Sequence, residues 1–134
     1  MTTIATVRTA MKTAVETISG LRAYAVIQDA INAPCAHIVP LEFDPRMVLG
    51  ESKSEYQFQI RIYAARESAD QNQALLDGYR EVSGATSITA ALQGNAGLAA
   101  VVDYAQVTRI GEVGVVEISG VSYLYLEIDV EVCW

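Results

Sequence analysis

The chain has 134 residues, long enough for one domain with a single sizeable core and too short for two independent domains of ordinary size. Hydrophobic residues make up 51% and charged residues 19%, enough apolar surface to exclude intrinsic disorder as the main state. Nine Lys and Arg against sixteen Asp and Glu leave a formal charge of −7, the wrong sign for a domain that grips phosphate backbones.

The segment from Met1 to Ser19 carries Arg8, Lys12 and Glu16 within its apolar pattern, so it is not expected to act as an export signal. No apolar run approaches the roughly 20 residues that a membrane-spanning helix needs, and no membrane partner is expected. Cys35 and Cys133 lie far apart with no CxxC spacing, which fits neither a disulfide framework nor a zinc ligand set; both read as thiols in a reducing cytoplasm.

In chain order, Ile4, Val7, Met11, Ala14, Val15 and Ile18 recur at helical steps, with Arg8, Lys12 and Glu16 on the other side. The spacing predicts an amphipathic helix over about Thr3 to Ser19, with Thr3 as N-cap and Gly20 closing it. Leu21 to Ile27 reads as a short strand, Asp29 to Pro34 as a connection, and Ala36 to Phe43 as a second strand in which Pro40 marks an edge or a bulge. Asp44 to Ser54 is a long loop with an apolar trio, Met47, Val48 and Leu49, beside Arg46. Such a trio is a candidate anchor for a neighbouring chain, or else a satellite core folded back on its own domain.

Glu55 to Ala65 alternates, with Tyr56, Phe58, Ile60 and Ile62 on one face and Gln57, Gln59, Arg61 and Tyr63 on the other, the pattern of a half-buried strand. Ser68 and Gln71 have capping-box spacing, and Leu75, Leu76, Tyr79 and Val82 form the apolar stripe of a helix over about Ala69 to Val82. Ser87 caps a short helix, Ile88 to Gln93, that stops at Gly94. Small residues from Asn95 to Ala100 then lead into a strand around Val102 to Ile110. Gly111 to Gly114 bends the chain, Val115 to Ile118 is extended, and Ser119-Gly120 fits a tight hairpin turn. In the final strand, Val121 to Val132, Leu124, Leu126, Ile128, Val130 and Val132 share one face and Tyr123, Tyr125, Glu127, Asp129 and Glu131 the other. The order predicts a single α+β domain: a mostly antiparallel sheet ending in a three-stranded meander, with the N-terminal helix, a second helix and a short third packed on one face.

Chemistry is sparse. One histidine, His37, supplies no metal pair and reads as structural or surface. Gly111 and Gly114 precede a strand, so they do not form a phosphate-binding loop. Glu127, Asp129 and Glu131 stand roughly 6 to 7 Å apart along one strand face. That row reads as a solvated face, as an acidic interface or as a channel lining, and the chain offers no further ligands for a metal or catalytic site. No catalytic residue, metal or cofactor is expected. Tyr123 and Tyr125 beside the row are amphipathic groups favoured in protein contacts, so Arg46, Met47, Val48, Leu49, Lys53, Tyr123 and Tyr125 are the candidate interface residues. Because adjacent carboxylates repel, basic groups from a neighbouring subunit, with Arg46, Lys53 and Arg61 as candidates, or an aqueous lumen are expected beside them.

Several strings, taken together, resemble the tail terminator proteins of long-tailed bacteriophages, particularly the small minor tail or tail-terminator proteins of phages infecting actinobacteria. They are Ser19-Gly20-Leu21-Arg22-Ala23-Tyr24, Ile31-Asn32-Ala33-Pro34, Glu55-Tyr56-Gln57-Phe58, the helix Asp70 to Val82, Ser83-Gly84 with Ser87 to Leu92, Val113 to Tyr123, and Asp129-Val130-Glu131-Val132. The resemblance implies a non-enzymatic subunit of a ring, typically a hexamer, that caps the tail tube and docks the head-completion or connector protein. Its partners would be its own copies, the major tail protein and the connector, and its location the head-tail joint of the virion after assembly in the host cytoplasm. DNA would pass through without specific binding, which an acidic lumen suits because like-charged walls do not hold phosphates. The alternatives are a head-tail connector ring protein and a small α+β ligand-binding protein or enzyme with a carboxylate site on the last strand.

Overall fold

A computed structural model describes residues 3–25, 33–41, 55–66 and 69–134. Its elements are α1 (Ile4–Val15), β1 (Arg22–Tyr24), β2 (Cys35–Pro40), β3 (Glu55–Ala65), α2 (Ala69–Arg80), α3 (Ile88–Gln93), α4 (Ala96–Ala99), β4 (Tyr104–Ile110), β5 (Gly114–Ile118) and β6 (Val121–Cys133). The architecture is α+β, with the helices packed on a mostly antiparallel six-stranded sheet.

The strand order is β1-β2-β3-β6-β4, and β5 also pairs with β6. Only β1 and β2 run parallel among these pairs. At the centre, β3 and β6 pair along the whole of β3, from Glu55↔Cys133 to Ala65↔Tyr123. Alternation then sends Phe58, Ile60, Ile62, Leu126, Ile128, Val130 and Val132 to the helix side, each fully buried. There they meet Val7, Met11, Ala14 and Val15 of α1, Leu76 and Tyr79 of α2, Ile88 and Leu92 of α3, and Leu98 of α4 in one core. Trp134 stacks on Tyr56 with ring centroids 4.3 Å apart, just past the paired ends of β3 and β6.

The helix starts follow the expected caps. The Thr3 hydroxyl accepts from the Thr6 amide at 3.2 Å, and the Ser87 hydroxyl from the Ala90 amide at 3.0 Å. The first helix is shorter than its periodicity predicts, ending at Val15 rather than near Ser19. Thr17 explains the early stop: its hydroxyl donates to the Ala14 carbonyl at 2.7 Å, and the Thr17 and Ile18 amides fall back to carbonyls three residues earlier, tightening the turn. Gly20, at φ +82°, then turns the chain toward β1. The second helix likewise ends at Arg80, and Val82, placed by the sequence on the apolar stripe, is 73% exposed. Ser87 sets that end, donating to the Glu81 carbonyl at 2.5 Å. The small residues after Asn95 form α4, where the sequence predicts only a lead-in: the Asn95 side chain accepts from the Leu98 amide at 2.9 Å, an N-cap.

Pro40 ends β2. The Leu41 amide donates to the Gln57 carbonyl at 2.8 Å, so alternation aims position 40 away from β3, on the side where the three residues of β1 have already ended. The meander needs correction. β4 and β5 do not pair with each other but follow one another along the same edge of β6. Register shifts once between Val107 and Arg109. It shifts again between Ile110↔Ile128 and Gly114↔Tyr125, where four steps on the arm oppose three on β6. The two strands are thus one arm bent by bulges. Gly111 permits the second bulge: its amide donates to the Glu127 carbonyl at 2.8 Å, and a Cβ there would sit 2.8 Å from the same oxygen. At the turn, Ser119 and Gly120 have φ of 52° and 81°, as the tight hairpin turn requires.

Candidate functional site

Opposite the core, the sheet presents side chains brought into rows by its registers. Tyr24, His37, Arg61 and Glu127 form one row, and Val39, Gln59, Asp129 and Arg109 another. Cys35, Tyr63 and Tyr125 form a third.

The carboxylates are met within the chain. The Gln59 amide nitrogen donates to Asp129 Oδ1 at 3.0 Å and to Glu127 Oε2 at 3.3 Å, while its oxygen accepts from Arg61 Nε at 2.8 Å. Arg109 reaches Asp129 at 3.3 Å, the Tyr125 hydroxyl donates to Glu127, and the Tyr104 hydroxyl to Glu131 at 3.3 Å. Burial, with Glu127 alongside, raises the Tyr125 phenol well above its ordinary range. Among the described side chains, Arg61 and Arg109 stand on the two strands flanking Glu127, Asp129 and Glu131, so the row is partly compensated within the chain, whereas Arg22 lies on the same face at the far edge of the sheet. The row was expected to find its compensation in another subunit or in solvent. Arg61, one of the residues named for that role, instead contributes from the next strand of the same chain. Gln59, Tyr104 and Arg109 were not singled out in the sequence; the alternation placing Gln59 beside Arg61 was legible, whereas its registration with Asp129 was not.

The rest of the face is aromatic. His37, 2% exposed, lies edge-on to Tyr24 and Tyr63, with centroids at 5.7 and 5.3 Å. Tyr63 continues to Tyr125 at 5.2 Å and Tyr123 at 6.3 Å. Burial, then the nearby Arg61, holds the His37 imidazole below its usual range, and its Nε2 is 4.0 Å from Cys35 Sγ. Cys35 and Cys133 are buried and hold thiols rather than a disulfide. Beyond Tyr123, the face continues onto Val116 and Ile118 of β5 and Val121, which is 51% exposed. Tyr123 and Tyr125, both candidate interface residues, thus join an aromatic and aliphatic half, and Glu127, Asp129 and Glu131 a polar half. Arg46, Met47, Val48, Leu49 and Lys53 lie outside the described residues, as does Ser68 of the capping box.

Concavities lie elsewhere among the described residues. A shallow groove runs along Ala5, Thr6, Thr9, Ala10, Thr13 and Val101, and a smaller cleft lies between Leu92, Leu98, Val102 and Tyr104. In the groove, Thr9 and Thr13 turn their hydroxyls onto the carbonyls four residues back, at 3.0 and 3.1 Å. Among the described residues no three His, Cys, Asp or Glu are grouped to hold a metal, and no helix is long and apolar enough to cross a membrane. No family model and no curated protein matches the chain.

Proposed function

We propose that this chain is a ring-forming structural subunit, a tail terminator of a long-tailed bacteriophage that caps the tail tube and offers a docking surface to the head-completion complex. The observation that carries the reading is the arm of β4 and β5. It extends one edge of the sheet into a hairpin that exposes Val115 and Val121, 57% and 51%, where a free-standing domain would favour polar side chains. A polar face whose carboxylates are already hydrogen-bonded supports a wall or contact surface better than a catalytic site, because catalysis needs groups turned toward a substrate.

Light scattering and electron microscopy of the purified chain test this. A ring of several subunits is expected, and adding the chain to growing tubes of its cognate major tail protein should arrest their elongation. A monomer at every concentration, or tubes that elongate unhindered, would reject the reading.

A further inference from the structure

We propose that the outer edge of β5 receives β1 of a second copy of this chain, so that the copies join head to tail; this rests on the ring reading above. The pair Ile118↔Val121 flanks the turn. Hydrogen-bonded and non-hydrogen-bonded pairs alternate in an antiparallel ladder, so Gly114, Val116 and Ile118 bond to β6, while Val115 and Glu117 turn their N–H and C=O groups outward. Among the described residues no strand pairs with that side, and Gly114 and Glu117 are exposed and Val115 is 57% exposed. Edges that must stay solitary are blunted by proline, lysine or bulges. Both bulges of the arm fall before β5, which is regular and contains neither Pro nor Lys.

Charge and symmetry select the occupant. From Ile110 to Trp134 the chain has no Lys or Arg, and Glu112 and Glu117 are exposed on the arm. At the other end of the strand order β1 exposes Arg22. It packs with α1, the helix that bears Arg8, while Lys12 of that helix is paired with Glu16 at 2.9 Å. Two acidic β5 edges would repel, which disfavours two-fold pairing. Opposite edges of unlike charge attract, and a head-to-tail contact whose rotation closes produces a ring. A continuous sheet keeps its two faces, so Tyr24 of one copy shares a face with Val116 and Ile118 of the next, beside Tyr123. The pairing thereby extends the aromatic half across the joint.

Two measurements decide it. In Val115→Pro the only amide lost is the outward one, so the hairpin ladder survives. The variant should keep the parent's melting temperature yet associate about tenfold or more weakly by light scattering. On the unaltered protein, hydrogen exchange at Val115 and Glu117 should slow about tenfold or more when concentration drives assembly, which decides the matter even if the proline variant misfolds. A parent that assembles while both amides exchange as in the monomer, or a proline variant that assembles like the parent, overturns the joint alone. A parent that never assembles overturns the ring reading and the joint with it. Arg22→Glu should weaken association, and adding Glu112→Lys and Glu117→Lys should restore it; an Arg22→Glu chain that assembles unchanged rules out β1 as the incoming strand.

Discussion

The Tyr79 ring fills the core at 1% exposure, and its hydroxyl has no hydrogen-bond partner among the described residues. Burial raises that phenol above its ordinary range, and a desolvated hydroxyl without a partner is a cost that the folded chain carries. Tyr79→Phe should therefore stabilise the fold by up to about 1 kcal/mol in urea unfolding; a less stable variant would mean that the hydroxyl has a partner after all. His37 makes the opposite demand, for neutrality. Its folded-state pKa lies below the ordinary 6.5, through burial first and Arg61 second. The contribution of the neutral ring is thus complete above about pH 6.5 and is lost as pH falls below that value toward the folded-state pKa. Urea midpoints taken between about pH 7 and about pH 5 should fall further for the parent than for His37→Asn. Equal slopes would show that the titration of His37 is not linked to folding.

At the scale of elements, one hydroxyl joins two helices. Ser87 donates to the carbonyl of Glu81 beyond α2 and accepts from the Ala90 amide inside α3, at 1% exposure. Ser87→Ala should cost about 0.5 to 2 kcal/mol, the range of a lost N-cap, in thermal or urea unfolding, and a change within error would mean that water replaces it. The sequence reveals α3, with Ser87 before it and Gly94 after it, because caps are local chemistry. It also reveals β3 and β6, since a period of two over eleven residues or more leaves little ambiguity about which face is buried. It conceals α4, where Gly97 and small residues weaken the helical signal although Asn95 caps it. It also conceals the joined course of β4 and β5. A bulge is defined by the partner strand, and no local pattern around Gly111 states that Glu127 lies opposite.

For the whole molecule the same distinction separates face from register. That Glu127, Asp129 and Glu131 avoid the core is written in their alternation. That Gln59 bridges two of them across 68 and 70 residues of sequence is a property of the closed sheet. The stack of Trp134 on Tyr56 has an optical consequence. Trp134 is the one tryptophan of the chain, so its emission reports the alignment of β3 with β6. Because that alignment joins distant segments, it should form on the millisecond-to-second scale of non-local sheets rather than in microseconds. Stopped-flow refolding followed at the indole should place the fluorescence change in that slow phase, after far-ultraviolet circular dichroism has registered helix. An indole signal complete before the helical signal would reverse the order, and with it the idea that a solitary fluorophore serves as a built-in gauge of sheet closure.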